Sequence, residues 1–412
     1  MNSMNKRYPI LATKKNCTGC MACVDACPSG ALCQFINDEG HYTFKLDKEI
    51  CVNCLKCEST CPIVSKIDYG NNDLSTPVYA AWSCNKELRK KSSSGGAATA
   101  ISEYILKQGG VVIGATLDGS NCRHISIESI SDLPKLQGSK YMQSDACGAY
   151  KQTLQYLREG RRVLFIGTPC QVAAAINFVK NPKLSENLFS LDMVCGGVPS
   201  LFIRDRFISE SGKKIKAIDS FRNKDKGWKS KGFTYQLKVV NDRNEIEVIH
   251  EKNLLLDGFV SELTNRYSCY DCQFVYINRK SDFTIADFWG DTFFRDEHKE
   301  GLSSLAVHTE KGKVLLAEIK NQNIKIKQTS WDKVLPYNFR YVYGHSLLKH
   351  LPQRKYLNWI FNHCLYETLC SFYAGDVTFK KPIGIVLKVM RKITIIINRK
   401  KSEKFIYNLL NK

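Results

Sequence analysis

The chain has 412 residues, 43% of them hydrophobic and 11% aromatic, which excludes a disordered or low-complexity protein and allows two or three domains with real cores. Its 18 cysteines exceed any packing need, and the opening MNSMNKRYPI lacks an apolar leader segment, so a cytoplasmic protein with metal or redox thiols is expected rather than an exported disulfide scaffold. The formal charge of +20 is unevenly spread: residues 377–412 hold ten Lys/Arg against one acid, Glu403. No aromatic-basic groove module accompanies that charge, so nucleic acid is not an expected partner. No run approaches 18 uninterrupted apolar residues, so no membrane-spanning helix is expected.

The first elements are an internal repeat. Residues 17–28 read CTGCMACVDACP and residues 51–62 read CVNCLKCESTCP, both fitting C-x2-C-x2-C-x3-C-P. In the two-cluster arrangement of this motif the fourth cysteine of each run ligates the other cluster. Cys17, Cys20, Cys23 and Cys61 are then expected to hold one 4Fe-4S cluster, and Cys51, Cys54, Cys57 and Cys27 the second. Pro28 and Pro62 turn the chain away after the crossing ligand. Zinc modules more often show two CxxC pairs. The segment ALCQFINDEGHYTFKLD between the runs reads as a hairpin turning near Asp38-Glu39-Gly40, and Cys33, outside the pattern, as a packing residue. Residues 10–65 resemble a bacterial 2x(4Fe-4S) ferredoxin. Each oxidised cluster would add about two negative charges, which weakens the +20 as a sign of nucleic-acid binding.

After a polar linker, DYGNNDLSTP, comes the strand VYAAWSC and then KSSSGGAATAISEYILKQGG. Here Ser94 or a neighbour is expected to cap a helix with Ala97, Ile101 and Ile105 on its apolar face, ending at Gly109-Gly110. Free N–H groups in the turn Ser94-Gly95-Gly96 make it a candidate phosphate cradle, with a plain capped surface helix as the alternative. VVIGATLD and HISIESI read as strands, followed by a helix presenting Ala146, Tyr150, Leu154 and Leu157. In RRVLFIGTPCQVAAAINFV, residues 163–166 form a strand, Thr168 caps a helix with Pro169 at its first position, and residues 171–179 are helical. Cys170 then sits at the positive end of the helix dipole, where a thiolate is favoured. SLDMVCGGVPS repeats the plan, with Cys195, Gly196 and Gly197 in a loop and Pro199 opening the helix LFIRDRFISE. Such strand-to-helix corners are where open α/β sheets place ligands. QLKVV and IEVIH read as a β pair, SDFTIADFWGD as a strand ending in a turn, and the region from Trp331 onward as mostly helical.

In YSCYDC, Cys269 and Cys272 supply half of a four-ligand site. Of the cysteines between the first module and residue 269, Cys147 falls on a predicted helix, Cys122 in a polar turn, and Cys84 before the charged run NKELRKK. Cys170 and Cys195, in Gly-, Pro- and Thr-flanked loops, are the choice to complete a third 4Fe-4S site. A zinc site, or a CxxC dithiol with unrelated core cysteines, is the competing reading.

Seven motifs follow in order: SSSGG at 92–96, GSKY at 138–141, GTPCQVAAA at 167–175, VCGGVPS at 194–200, FRNKDKGW at 221–228, CYDC at 269–272 and ADFWGD at 286–291. Together they resemble the beta subunit of the coenzyme F420 (deazaflavin) hydrogenase/dehydrogenase family over about residues 76 to 300. The resemblance implies a flavin, usually FAD with FMN as the variant, beside a 4Fe-4S cluster ligated by Cys170, Cys195, Cys269 and Cys272. It also implies that Ser94, Gly95 and Gly96, with Gly167 and Thr168, line the flavin pocket. Members act on a deazaflavin, a chlorophyll precursor, or unknown compounds encoded beside surface-polysaccharide genes. Lys140, Arg222 and Lys224 are candidates to neutralise flavin phosphates or a reduced flavin, against a solvated basic loop. Asp287 is a candidate proton donor or ribose contact, against a turn cap; Trp228 stacks on the ring or fills the core. His124 and His308 receive no role.

In the tail, Val386, Met390, Ile393 and Ile397 recur at helical spacing beside Lys388, Lys392 and residues 399–401. This basic amphipathic helix either lies on an anionic membrane surface at the inner face or docks on the protein's own body. The expected fold is α+β: a two-cluster ferredoxin domain at 1–75, the two parts of an α/β flavin and iron–sulfur domain at 76–160 and 161–335, and a basic helical tail at 336–412. The expected function is an iron–sulfur flavoprotein oxidoreductase. It would take electrons from a ferredoxin or another low-potential donor and reduce a small-molecule substrate, with surface-polysaccharide metabolism as one setting. The alternative is a non-catalytic electron-transfer subunit of a larger hydrogenase/dehydrogenase complex.

Overall fold

Strands β1 (Leu32–Ile36) and β2 (Tyr42–Leu46) pair antiparallel between the two cysteine runs, with Leu32 opposite Leu46. Gly40 takes φ +74° at the turn between them, a conformation that favours glycine. The computed structural model describes residues 7–225, 227–228, 235–250, 252–290, 294–344, 366 and 382–411. Cys33 is exposed on β1, not a packing residue, because alternation along the strand turns it away from Leu32. The linker is not free either: β3 (Gly70–Asn71) pairs with β12 (Asn278–Arg279), and the preceding Tyr69 is buried.

The mixed helix and strand fold is α+β, built on an eight-stranded sheet ordered β15-β4-β14-β13-β8-β7-β5-β6. These strands are β4 (Val78–Ser83), β5 (Val111–Asp118), β6 (Asn121–Ile127), β7 (Val163–Gly167), β8 (Leu188–Met193), β13 (Phe283–Asp287), β14 (Ser303–Val307) and β15 (Ile324–Gln328). The four central strands β13, β8, β7 and β5 are mutually parallel, and the outer pairings are antiparallel. Both faces are covered, so the parallel strands read as continuous apolar runs. Leu164 packs on one face with Ile101, Ile105 and Leu315, while Val163 and Phe165 pack on the other with Tyr150, Leu157 and Val172. A second sheet, β11-β10-β9, joins β9 (Ile215–Arg222), β10 (Tyr235–Asn241) and β11 (Ile246–Val248). It encloses its own core with helices Leu201–Glu210 and Leu254–Val260.

Several local expectations are corrected. Ser94 does not cap the helix Ala97–Lys107: Gly96 precedes it at φ +81°, and the Ser94 hydroxyl donates instead to the Leu302 carbonyl at 2.6 Å. Ser200, not Pro199, starts the helix Leu201–Glu210, its hydroxyl accepting from Phe202 N–H. Ala146 and Cys147 precede the helix Ala149–Arg158, and Cys122 is buried on β6. The strands β14 and β15 lie beyond the legible motifs, where pairing with residues 78–83 decides structure. In the tail, helix Pro382–Leu410 leaves Ile393 and Ile397 exposed and buries Asn398, Ser402 and Ile406. The side chains of Val386, Lys388 and Met390, and Lys226 and Asp291 of the motifs, lie outside the described residues. No helix among the described residues is long and apolar enough to cross a membrane.

Candidate metal centre

Cys17, Cys20, Cys23 and Cys61 line one cavity, walled by Leu11, Met21, Phe44 and Ile63. Cys61 stands close enough to act on Cys17, Cys20 and Cys23, and Cys27 close enough to act on Cys57, which also feels Cys54. Cys61 thus lies near the thiols of the first run, and Cys27 near Cys57 of the second. Burial pushes the Cys20 thiol up to about 12 and Cys57 to about 11, with neighbouring thiols adding to it. Such thiols shed their protons when a metal supplies the compensating charge.

Three separate elements deliver the second group of thiols. Cys170 lies in the first turn of helix Pro169–Phe178, fixed by a Thr168–Gln171 capping box. Cys195 follows β8 by two residues, and Cys269 and Cys272 lie in and just past the turn Tyr267–Tyr270. Cys170 feels Cys195 and Cys272, and Cys269 feels the same two. Burial raises all four thiols, Cys269 to about 12. For Cys170 the rise comes mainly from burial, and the Thr168 hydroxyl, 3.2 Å from its sulfur, offsets part of it. Among the described residues, no three His, Cys, Asp or Glu side chains gather closely enough for one metal ion. A tetrahedral zinc would hold sulfurs about 3.8 Å apart, given Zn–S bonds of about 2.3 Å, whereas a cubane gives each thiolate its own iron. The four buried thiols therefore suit a 4Fe-4S cluster.

The two groups of thiols are tied together. Tyr150 is fully buried and donates its hydroxyl to the Cys20 carbonyl at 2.7 Å, and its ring stacks near Phe165 and Phe178. Burial raises its pKa, and Cys20 and then Cys170 raise it further, so both sit close to it. The Cys17 carbonyl accepts from Arg266 Nη1 at 3.1 Å and from the Ser268 hydroxyl at 3.0 Å, just ahead of Cys269. Arg266 reaches in over Gly19, whose φ is +67° and where a Cβ would lie 2.4 Å from Nη2. Asp25 accepts from the backbone N–H groups of Gly148, Tyr150 and Lys151, capping a helix whose own N-cap, Gly148, has no side chain. Sequence reasoning missed Asp25, Arg266 and Ser268. The one available signal was that Asp25 stands in the first repeat where Ser59 stands in the second.

The residues expected around a flavin are engaged within the protein. Lys224 donates to the carbonyls of Arg89, Ser94 and Glu300, which uses all three ammonium protons; Lys140 donates to those of Leu136 and Gln137. Burial lowers Lys224 to about 7 and Lys140 to about 8. Gly95 N–H is taken by the Ser303 hydroxyl, and a Cβ at Gly95 would meet the Ala81 carbonyl at 2.3 Å. Gly167 and Thr168 form the corner that aims Cys170. Arg222 pairs with Asp287 at 2.9 Å, each the last residue of its strand, and Trp228 is wholly buried against Trp289, with ring centroids 4.4 Å apart. Trp228 is a core residue.

Comparison with protein families matches residues 78–150 to the coenzyme F420 hydrogenase/dehydrogenase beta subunit N-terminal model and residues 160–331 to its C-terminal counterpart. The chain belongs to this family. Residues 16–64 match a 4Fe-4S dicluster domain, so this family member is an iron–sulfur oxidoreductase-type chain. Among solved structures, a chain of the xenon-derivatised F420-reducing [NiFe] hydrogenase complex from Methanosarcina barkeri is 18% identical with a TM-score of 0.44, over 72% of this chain and 93% of that one. No curated protein matches.

Proposed function

We propose that this chain is an iron–sulfur electron-transfer subunit of an oxidoreductase, with a third 4Fe-4S site at Cys170, Cys195, Cys269 and Cys272. The observation that carries this reading is Tyr150, in contact with the Cys20 carbonyl and close to Cys170. Cys23 in turn feels Cys57, so the three thiol sets adjoin in the order second run, first run, third set. When bound, such clusters exchange single electrons. Exposed Cys54, beside the exposed Ile50 and Val52, favours the second run as the side facing a ferredoxin-like donor. Membership of a beta-subunit family supports assembly with partner subunits.

A second reading, reduction of a small organic substrate at a bound FAD or FMN, is favoured by the Arg222–Asp287 ion pair under Trp289. Anaerobic purification with iron, sulfide and flavin measured together separates the two. Three clusters predict 12 Fe and two predict 8; one flavin per chain supports the second reading. Cys170→Ser or Cys272→Ser should remove four irons and leave the signals of the first module intact. Wild-type protein holding 8 Fe would overturn the third site.

The tail supports peripheral contact with an anionic membrane surface. Val389, Ile393, Ile396 and Ile397 are exposed together with Lys392, Arg399, Lys400 and Lys401, and the one acid there, Glu403, is paired with Arg399. Such a face gains from apolar burial and from lipid charge together. Co-sedimentation with vesicles of anionic but not zwitterionic lipid is expected, and equal behaviour with both would reject it.

A further inference from the structure

Two guanidinium groups are sealed into the wall around Cys195 and Cys272. Arg279 is wholly buried and engaged at each of its three nitrogens: Nη1 to Asp192 at 2.8 Å, Nε to the Tyr276 carbonyl at 2.9 Å, and Nη2 to the Tyr341 carbonyl at 3.4 Å. Asp192 in turn accepts from Tyr69, Ser281 and Thr284, so this charge is locked in place.

Arg340 is different. It is 6% exposed, and its Nη2 reaches Glu262 at 3.1 Å and the carbonyl of Gly196, the neighbour of Cys195, at 3.5 Å. Its Nε is buried with no hydrogen-bond partner among the described residues. Four residues on, the Gly344 carbonyl accepts the Cys272 N–H at 2.7 Å, and a Cβ at Gly344 would meet the Cys272 carbonyl at 2.2 Å. The segment 340–344 therefore packs directly on Cys272 and on the residue that follows Cys195. Arg340 and Arg279 both stand close enough to Cys195 and Cys272 to act on them electrostatically. An unpartnered buried N–H is costly and rare in native structures, and it calls for a ligand.

We propose that Arg340 is a positioning residue that sets the reduction potential of the cluster at Cys170, Cys195, Cys269 and Cys272, by presenting a fixed buried charge and its free Nε–H to the Cys195–Cys272 side. This rests on the third-cluster reading. Charge, hydrogen bonds and burial around a cluster set its potential. A positive group stabilises the reduced, more negative state and raises the potential, while Glu262, its ion-pair partner, opposes it. Arg340 lies beyond residue 331, where the family match ends.

The test is redox titration of the anaerobically purified full chain, followed by electron paramagnetic resonance, with iron counted on each sample. Arg340→Gln is expected to keep 12 Fe and move one midpoint potential to more negative values, leaving the two midpoints of the first module in place. Glu262→Gln is expected to move the same midpoint the other way, which damaged packing would not do. Should Arg340→Gln fall to 8 Fe, Glu262→Gln decides: a positive shift supports the assignment and an unmoved midpoint overturns it. Arg340→Gln with 12 Fe and unchanged potentials, or both variants shifting in one direction, also overturns it. Wild-type chain with only 8 Fe removes the third cluster itself, a separate failure.

Discussion

The hydroxyl of Tyr150 donates a 2.7 Å hydrogen bond to the carbonyl oxygen of Cys20, 130 residues earlier in the chain. Both groups are buried, so the bond is made without competing water. Tyr150→Phe keeps the ring stack and leaves that carbonyl unpaired, a cost of about 1–3 kcal/mol. The expected outcome is a lower thermal midpoint with iron content unchanged. Loss of four irons from the conservative variant would instead make the hydroxyl a requirement for cluster assembly.

Lys224 gathers three carbonyls from three segments, those of Arg89, Ser94 and Glu300. Lys224→Met removes the donors and keeps the aliphatic stem. Destabilisation of about 1–3 kcal/mol is expected, since the half-buried carbonyls of Arg89 and Ser94 lose their partner while the exposed Glu300 carbonyl can turn to water. Denaturant unfolding measures it. A stable variant that fails to retain flavin would show that the ammonium serves a ligand instead.

His124 is buried, stacks on Phe165 and contacts the Ile166 carbonyl through Nε2 at 3.1 Å. Burial lowers its pKa to about 4 from the usual 6.5. As pH falls, the unfolded chain therefore takes up a proton before the folded one does, and stability declines from about pH 6.5 down to about pH 4. At pH 5 the loss amounts to about 2 kcal/mol. His124→Gln should lower stability at pH 7 yet narrow the gap to wild type at pH 5, in melting curves recorded at both values. A gap that stays constant between the two would exclude His124 as a source of acid sensitivity.

Legibility followed the range of the interactions. The β1–β2 hairpin, the Thr168 cap and the helix Pro169–Phe178 were readable because turn residues, caps and periodicity act over a few residues. Strand β14 was not: SSLAV carries no turn signal of its own, and it is a strand because residues 78–83 pair on one side of it and residues 283–287 on the other. Lys224, Ser94 and Gly95 looked available for an anion because their partners are carbonyls and a hydroxyl far away in sequence, whereas Lys140 turns back on the carbonyls of Leu136 and Gln137 in the preceding turn. Residue type alone cannot say which donors are already taken.

The amino-acid sequence by itself determined the ligand chemistry: two runs of four thiols, a lone CxxC, and two cysteines at strand-to-helix corners. These are set by side-chain identity and local spacing. Only the tertiary structure decided how those thiols are buried. It also brought Asp25, Tyr150, Arg266 and Arg340 to them, because burial and close approach arise between segments separated by up to hundreds of residues, and no local pattern encodes that convergence.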